Sequence, residues 1–432
     1  MHWALLLGLV FAALVGLMAI GVPIVFALGI LDVALVVLLW GPAGFSLFGS
    51  VAFGDLNNFA LLAVPMFILV GEIVVAARIN GDLFDVAHKW VGGMPGGLAV
   101  TTQVVSTAFA AVSGASTANT VIVGSVATNE LLSRGYDKRL TAGCIVAGGS
   151  LGMLIPPSTL MIIYGVLNQV SIGHLFIGGI LPGLLMAGLF IAYIIVVALR
   201  DPAKAPRARG VTWADRWRSL YRIWSVLILI VFMLLAIYMG VATPTEVGGA
   251  GALIALAIAF GMRRVSFREV GKVALGTLRT TGFILWILFA ALLFGRILTA
   301  LGVTQELTEF VATLPAPPWL ILILINLLLI VLGALMDPAA IVAVTSPILV
   351  PIAIELGYDP LWFGIVFMVN MEMAFLTPPF GLNLFILKSM APPDMSMNDI
   401  IRGALPFMLL QLLGLALIIV FPALVLWLPS TM

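Results

Sequence analysis

Long apolar segments separated by short polar ones run through the whole sequence, and hydrophobic residues make up 62% of it against 9% charged residues. The hydrocarbon core of a bilayer is about 30 Å thick, so a membrane-spanning helix needs roughly 20 mainly apolar residues. A membrane β-barrel would need strands of about ten residues in which polar and apolar residues alternate. Segment 319–335 shows no such alternation. The sequence therefore predicts an all-α polytopic membrane protein.

Ten segments have the length and the apolar character of a membrane span. They lie at about 3–20, 22–40, 57–77, 139–170, 173–199, 223–240, 243–262, 276–300, 360–388 and 403–428. Two further segments, 93–128 and 315–350, are interrupted by proline, and the first is too polar for a plain span. We expect each to form a re-entrant hairpin, which enters and leaves the membrane on the same side.

Positive charges cluster in a few short stretches. Arg200 to Arg222 contains seven Lys or Arg residues and Arg263 to Arg279 contains five, and the positive-inside rule places both stretches in the cytoplasm. By the same count, hairpin 93–128 lies on the cytoplasmic side, hairpin 315–350 lies outside, and both termini are periplasmic. Among the basic residues, Arg296 alone falls at an outer end of a span.

Composition and charge exclude several classes of function. The net charge is +1, and the sequence offers no basic face for a nucleic acid. Cys144 is the only cysteine and the three histidines are scattered, so no metal-ligand spacing is present. The sequence also has no HExxH motif and no Ser-His arrangement at a catalytic spacing. We expect neither an enzyme nor an organic cofactor.

The sequence contains a weak internal repeat. Segment 150–161 (SLGMLIPPSTLM) resembles segment 372–383 (EMAFLTPPFGLN), and their Pro-Pro pairs lie 222 positions apart. GILPG then matches GALPF in the same order. Each half holds five predicted spans, an odd number, so the halves should be inverted relative to each other. The predicted parts are a first inverted repeat at 1–199 with hairpin 93–128, a basic cytoplasmic linker at 200–222, and a second inverted repeat at 223–432 with hairpin 315–350.

Both Pro-Pro pairs, Pro156–Pro157 and Pro378–Pro379, sit in the middle of a predicted span. Proline removes a backbone donor and clashes with the preceding turn, so each pair should break its helix near the membrane midplane. Unpaired backbone groups are tolerated only inside protein or along a wet cavity. There, carbonyl oxygens can coordinate a cation and helix ends can face an anion. A packing kink is the alternative interpretation.

The centre of hairpin 93–128 is rich in small polar residues. They are Ser113, Ser116, Thr117, Asn119 and Thr120. Hydroxyl, amide and carbonyl oxygens at a buried tip suit a hard cation such as sodium. The alternative is helix packing, because small residues are common where membrane helices approach closely. Hairpin 315–350 carries fewer polar side chains, so backbone carbonyls would have to dominate a cation site there.

Ionisable side chains inside the predicted spans and hairpins are costly and mark functional candidates. They are Asp32, Glu72, Glu246, Asp337 and Glu372. Glu246 follows Pro244 near an outer helix end, so it could either cap that helix or take part in transport. Asp32 and Glu72 belong to no motif, and we expect them to be paired in the helix bundle or to lie near an interface.

Four separated motifs carry a family resemblance. They are SGASTANT, GGSLGMLIPPSTLMIIYG, ATPTEVGG and NMEMAFLTPPFGLNLF. In this order they resemble the large M subunit of TRAP (tripartite ATP-independent periplasmic) transporters, and the resemblance covers essentially the whole chain. It implies sodium-driven import of small organic anions, carboxylates such as C4-dicarboxylates or sugar acids. It also implies an elevator-like transport domain built from both hairpins.

The resemblance implies two protein partners in the bacterial inner membrane and periplasm. A small four-helix membrane subunit (Q type) would complete the scaffold in the lipid bilayer, and a periplasmic substrate-binding protein (P type) would deliver the organic acid. The chain holds no segment that corresponds to either, so we expect separate polypeptides. The alternative is a self-sufficient sodium-coupled carboxylate carrier of the same plan, which would need no binding protein.

The resemblance also implies site residues, with sodium ions as the coupling ions. The first sodium site is expected at Ser113, Ser116, Asn119, Gly149, Gly152 and Pro156. The second is expected at Gly333, Asp337, Thr377, Pro378 and Gly381. Ser116 and Asn383 are candidate substrate contacts.

Arg296 is the third substrate candidate, and two interpretations of it stay open. It could reach the outer headgroups along its own aliphatic stem, as arginine does near helix ends. It could instead face a transport cavity beside the second hairpin, where a guanidinium group can bind a carboxylate through two parallel hydrogen bonds.

Overall fold

The computed structural model describes residues 3–206 and 213–432, and every regular element in these ranges is helical. The predicted all-α membrane fold is confirmed. Among the described helices, eight are long and apolar enough to cross a membrane, or nine if one bent pair counts as a single span. Part of the predicted basic linker 200–222, namely 207–212, lies outside the described residues.

The first elements are two long helices followed by several short helical turns. They are α1 (Trp3–Ala19), α2 (Ile24–Trp40), a 3-10 turn (Gly41–Phe45), α3 (Ser46–Ser50) and a π-helical turn (Val51–Asp55). Helix α2 ends at Trp40, where the sequence predicted the end of this span, because Gly41 has a non-helical backbone (φ +61°, ψ −153°). Short helical turns then follow to Asp55. Pro42 lies at the start of the 3-10 turn that follows, where its missing N–H is not needed.

The rest of the first half contains a hairpin, a broken helix and a long helix. The elements are a 3-10 turn (Phe59–Leu62), α4 (Ala63–Ala76), α5 (Ile79–Val91), α6 (Gly97–Ser113), α7 (Ser116–Ser133), α8 (Lys138–Ser150), a 3-10 turn (Leu151–Met153), α9 (Thr159–Asn168) and α10 (Ile172–Arg200). Helices α6 and α7 form the predicted hairpin 93–128. Helices α8 and α9 are the two parts of the predicted span 139–170.

The second half repeats this order of elements. They are α11 (Trp213–Leu220), α12 (Trp224–Tyr238), α13 (Pro244–Gly261), α14 (Phe267–Ala300), α15 (Val303–Thr313), α16 (Pro318–Leu335), α17 (Pro338–Glu355), α18 (Pro360–Ala374), α19 (Leu382–Met390), α20 (Met397–Val420), α21 (Ala423–Leu426) and a 3-10 turn (Pro429–Thr431). Helices α16 and α17 form hairpin 315–350, and α18 and α19 form a broken helix. The common order agrees with a repeat, while the inversion of its halves stays a prediction.

Length and hydropathy do not separate a re-entrant hairpin from two crossings, because α16 and α17 each have the composition of a membrane span. The re-entrance of both hairpins therefore stays a prediction. Conversely, the predicted spans 139–170 and 360–388 are each divided into two short helices.

Several helix starts are set by local sequence. Proline occupies the first turn of α13, α16, α17 and α18, where its fixed φ suits a helix and its missing donor costs nothing. Helix α13 also has a capping box, in which Glu246 accepts a hydrogen bond from the Thr243 N–H at 2.8 Å. Of the two interpretations of Glu246, the structure supports the cap. Helix α14 begins at Phe267 rather than near 276, because Ser266 and Glu269 form a second capping box.

Two groups of helices can be distinguished within one continuous hydrophobic core, in which α14 also contacts α17 and α4 also contacts α6. In one group, α8 packs against α6, α7 and α20, and α18 packs against α16, α17 and α20. In the other group, α4 packs against α13 and α14, and α14 packs against α2. We call the hairpins with their broken helices (α6–α9 and α16–α19) the core body, and α2, α4, α13 and α14 the frame.

Candidate functional site

Both predicted helix breaks are present in the core body. The irregular stretch between α8 and α9 contains Pro156–Pro157, and the one between α18 and α19 contains Pro378–Pro379. Both Pro-Pro peptide bonds are cis. Because proline has no N–H to donate, each break leaves backbone carbonyl groups without their helical partners.

The tip of the first hairpin, Gly114 and Ala115, sits against the first break. The Thr159 N–H donates to the Gly114 carbonyl at 3.3 Å. Gly114 has a φ of +61°, and a Cβ there would run into the carbonyl oxygen of Pro157. A Cβ on Gly152 would come within 2.9 Å of the carbonyl carbon of Ala115. Glycine at these positions lets the two backbones touch.

Asn119 links the first hairpin to α8. Its Nδ2 lies 3.0 Å from the Ser106 carbonyl, 3.2 Å from that of Gly148 and 3.4 Å from that of Gly149. Its Oδ1 and the Ser113 Oγ are both buried and have no hydrogen-bond partner within the described part of the chain. Buried polar atoms normally have a partner. These two oxygens are therefore free to bind a cation.

Ser116 and Asn383 join the two halves of the chain. The Asn383 Nδ2 donates to the Ser116 Oγ at 2.9 Å and to the Val146 carbonyl at 3.2 Å. Both side chains are fully buried. The structure thus brings two of the three substrate candidates into direct contact, at the start of α7 and in the first turn of α19.

The second hairpin meets the second break in the same way. The Phe380 N–H donates to the Ala334 carbonyl at 3.0 Å, as Thr159 does to Gly114 in the first half. A Cβ on Gly333 would lie 2.7 Å from the Cβ of Ala374. Each hairpin end is therefore held on a broken helix by a backbone hydrogen bond and a close glycine contact.

The side-chain oxygens of the second set have local partners. The Asp337 Oδ1 accepts from the Ala339 N–H at 2.9 Å and caps α17. The Thr377 Oγ1 donates to the Met373 carbonyl at 2.8 Å, and the Gly381 N–H donates to the Thr377 carbonyl at 2.9 Å. The five residues predicted for a second sodium site lie around one hairpin end. The expected dominance of backbone carbonyls stays a prediction.

A cavity of about 1370 Å³ lies between the frame and the core body. Its lining includes Asp55, Arg296 and Thr243 on the frame side, and Asn168 and Pro347 on the other side. Arg296 thus lies beside α17 of the second hairpin, where the cavity interpretation puts it. Ser116 and Asn383 are not among the described residues that line this cavity, so the three substrate candidates do not meet at one point.

Asp55 is a partner of Arg296 that sequence reasoning missed. The Arg296 Nε donates to the Asp55 Oδ2 at 2.8 Å and the Nη2 donates to Oδ1 at 2.7 Å. About half of the Arg296 side chain is exposed, at 48%. Asp55 thus occupies the Nε–Nη2 side of the guanidinium group, and the Nη1 donors take no part in this ion pair.

Two further acidic residues, Asp32 and Asp394, differ in whether they have a partner. Asp32 on α2 is fully buried, and neither carboxyl oxygen has a hydrogen-bond partner among the described residues. Of the two alternatives expected for it, pairing in the helix bundle is therefore wrong. Outside the spans, the Lys138 Nζ lies 2.6 Å from an Asp394 carboxyl oxygen. The hydrogen bond from Lys138 lowers the pKa of the Asp394 carboxyl. This pair ties the start of α8 to the loop after α19.

The comparisons with known proteins bear on what this arrangement does. Residues 11–424 match the family model described as "Tripartite ATP-independent periplasmic transporter, DctM component". The chain belongs to this family. The DctM component is the large permease of a tripartite transporter, so the family resemblance found in the sequence is confirmed. As a transporter permease, the chain is a multi-pass membrane protein and not an enzyme.

Named relatives of this DctM-family chain match it over nearly its full length. It is 36% identical to the C4-dicarboxylate TRAP transporter large permease protein DctM of Pseudomonas aeruginosa, covering 92% of each chain. It is 30% identical to the sialic acid TRAP transporter large permease protein SiaM of Vibrio cholerae, covering 96% of each chain. It is 32% identical to the isethionate TRAP transporter permease protein DctMQ of Oleidesulfovibrio alaskensis, covering 94% of this chain and 64% of that one.

Solved structures share the fold of this DctM-family chain. The YdaH transporter of Alcanivorax borkumensis matches with a TM-score of 0.64 and 16% identity, over 89% of this chain and 90% of that one. MtrF of Neisseria gonorrhoeae matches with a TM-score of 0.60 and 14% identity, over 88% and 84%. At these identities the likeness concerns the fold alone.

Proposed function

We propose that this permease couples the import of small organic anions to sodium entry. The observation that carries the proposal is the hairpin end docked on a broken helix, with the buried Ser113 Oγ and Asn119 Oδ1 left without partners among the described residues. Hydroxyl, amide and carbonyl oxygens suit a hard cation. Asn119 would hold the ion through Oδ1 while its Nδ2 keeps the hairpin on α8. The second sodium site would use carbonyls around Thr377, Pro378 and Gly381.

The proposed substrates are carboxylates such as C4-dicarboxylates or sugar acids. Relatives are named for C4-dicarboxylate, sialic acid and 2,3-diketo-L-gulonate, all of which carry carboxylate groups. Arg296 would bind such a group with the guanidinium end that faces the cavity, since Asp55 occupies its other side. Ser116 and Asn383 would contact the substrate once it reaches the junction of the two halves.

The proposed mechanism is an elevator, in which the core body moves along the frame. Two observations support it. Backbone hydrogen bonds join each hairpin to a broken helix within the core body. The cavity of about 1370 Å³ lies between the core body and the frame. Broken helices of inverted repeats that carry sites near the midplane are a known transporter architecture. The proposed repeats are 1–199 and 223–432, joined by the linker 200–222.

The proposed assembly contains two further proteins in the bacterial inner membrane and the periplasm. The family description names a tripartite, periplasmic system, which supports a separate small membrane subunit and a periplasmic binding protein. The name DctMQ of one relative supports a close association of the M and Q components. From the charge distribution, both termini would be periplasmic.

The proposal predicts that uptake depends on sodium and on the membrane potential, and not on ATP. Proteoliposomes that contain the permease with its small subunit, supplied with the cognate binding protein, should lose at least about tenfold of their uptake when sodium is replaced by choline. Moving one net charge through 100 mV contributes about 2.3 kcal/mol, so for a monocarboxylate imported with two sodium ions collapsing the potential should slow uptake further. Uptake that requires ATP and does not depend on sodium would contradict the proposal. Equal uptake without the binding protein would favour the self-sufficient carrier.

A second prediction concerns the first sodium site. Asn119→Ala should raise the half-saturating sodium concentration about tenfold or more, because losing one ligand oxygen that contributes about 1.4 kcal/mol has that effect. Some stability should also be lost, since carbonyls of Ser106 and Gly148 lose a donor. Thr128→Ala is the matched control on the same helix, because the Thr128 hydroxyl bonds only the Gly124 carbonyl of α7. Equal sodium dependence in both variants would remove Asn119 from the site.

A further inference from the structure

A buried carboxyl group lies where the two halves meet and is not used by the proposed transport site. Glu372 on α18 is 0% exposed. The Ser150 Oγ, at the end of α8, lies 3.1 Å from the Glu372 Oε1. The two residues are 222 positions apart, the separation of the two Pro-Pro pairs, so this contact joins corresponding positions of the predicted repeats.

The hydrogens around the Ser150 hydroxyl can be counted. Its Oγ lies 2.7 Å from the Ala147 carbonyl, 3.1 Å from the Gln411 Nε2 and 3.1 Å from the Glu372 Oε1. A hydroxyl has one hydrogen to donate and two lone pairs to accept with. The carbonyl can only accept, so it takes the hydrogen at the shortest distance, and the Gln411 N–H uses one lone pair. The contact with Glu372 then needs a hydrogen that belongs to the carboxyl group.

Exchanging the nitrogen and oxygen of the Gln411 amide does not remove this requirement. Ser150 would then face three acceptor oxygens, from Ala147, Gln411 and an ionised Glu372, with one hydrogen to share. In either orientation of the amide, a charged Glu372 therefore leaves at least one oxygen lone pair facing another.

The surroundings of Glu372 also favour the protonated form of its carboxyl group. Its Oε2 has no hydrogen-bond partner among the described residues, and none of the ion pairs formed there includes it. The titratable groups on the neighbouring helices are Lys138, Arg139 and Cys144 on α8, Tyr164 on α9, His174, Tyr193 and Arg200 on α10, Asp337 and Glu355 at the ends of α17, and Asp399 and Arg402 at the start of α20. Tyr164 donates to the Pro360 carbonyl instead. The polar contacts of this carboxyl group are with the Ser150 hydroxyl and the Gln411 amide, which are both uncharged. A buried carboxylate without a cation is strongly disfavoured over the neutral acid.

We infer that Glu372 is a proton-binding site, a neutral carboxylic acid whose O–H donates to the Ser150 Oγ. The bound proton holds the broken helix of the first half against that of the second, through α8 and α18. Because neither residue lines the large cavity, the proton stays with the core body and is not a coupling ion. This inference does not depend on sodium coupling.

Infrared spectroscopy of the purified full-length permease tests the inference. The difference spectrum between wild type and Glu372→Gln should contain the C=O stretching band of a protonated carboxyl group at neutral pH. Ser150→Ala should keep this band and shift it to higher frequency, because the acid loses its hydrogen-bond acceptor. Glu355→Gln, which replaces an exposed carboxylate at the end of α17, is the matched control and should remove only an ionised carboxylate band.

Sodium dependence separates the inference from a cation site. Glu372→Gln should change the half-saturating sodium concentration by less than about twofold, whereas loss of an ionised ligand would raise it about tenfold or more. A difference spectrum in which Glu372→Gln removes an ionised carboxylate band would overturn the inference, and so would a tenfold rise in the sodium requirement.

Discussion

Gly114→Ala is expected to reduce uptake by at least about 100-fold, which corresponds to about 2.8 kcal/mol at about 1.4 kcal/mol per tenfold. Gly114 has a φ of +61°, and this left-handed conformation costs a residue with a side chain roughly 1–2 kcal/mol. A Cβ there would also overlap the Pro157 carbonyl oxygen. The hairpin tip would have to leave the first break, and the backbone hydrogen bond from Thr159 would be lost with it.

Gly135→Ala is the matched control for this substitution. Gly135 also has a left-handed φ, +81°, but a Cβ there would meet nothing within 4 Å. The two variants therefore share the backbone strain, and only Gly114→Ala adds the steric conflict at the tip. Uptake should be divided by the amount of folded protein, measured by size-exclusion chromatography in detergent. If both variants transport equally well, the hairpin tip is not held on the broken helix during transport.

The hairpins and breaks could be predicted because their sequence signals are local. Proline pairs interrupt apolar segments wherever they occur, and a run of Ser, Thr and Asn between apolar flanks marks a polar tip. The predicted hairpin 93–128 corresponds to α6 and α7, which end at Ser133. The predicted end falls short because Asn129 and Glu130 end the apolar pattern, although they are still helical. Polar helix ends outside the lipid carry no hydropathy signal.

The region after α2 contains local structure that no local signal predicts. Gly41 and Pro42 are strong local signals for a break, and α2 does end just before them at Trp40. What they do not predict is that short 3-10, α- and π-helical turns then continue to Asp55. Val51 in that stretch packs with Leu293 and Ile297 of α14. Packing between segments far apart in the sequence decides the local structure here. A prediction from neighbouring residues alone cannot include these contacts.

The side-chain pairs at the site could not be predicted either, because their members are far apart in the sequence. Sequence reasoning singles out Arg296 as the basic residue on the wrong side, but its Asp55 partner is 241 positions away. Ser116 and Asn383 are separate candidates in the sequence, and their contact spans 267 positions. Glu372 stands out in the sequence as a costly buried charge, whereas the proton inferred for it depends on Ser150 and Gln411, which only the fold brings together.

Arg296→Ala is expected to lower uptake by about 100-fold or more, and Arg296→Lys by nearly as much. The guanidinium group has five N–H donors in a rigid plane, so it can bind Asp55 on one side and a substrate carboxylate at the Nη1 end. An ammonium group keeps the charge but cannot make both paired contacts. Expression and thermal stability should stay close to wild type, because about half of the side chain is exposed and the pair with Asp55 contributes only about 1 kcal/mol or less.

Asp55→Asn separates substrate binding from a structural role of the ion pair. If Arg296 binds the substrate, freeing it from Asp55 leaves the guanidinium available, and Asp55→Asn should retain uptake with an equal or lower half-saturating substrate concentration. If the pair only fastens the π-helical turn to α14, either single substitution breaks the same contact. Asp55→Asn, Arg296→Ala and the double variant would then lose uptake equally, since residues that act through one interaction are not additive. If Arg296 binds the substrate, the Arg296→Ala variant and the double variant should both lose uptake, while the Asp55→Asn variant still transports.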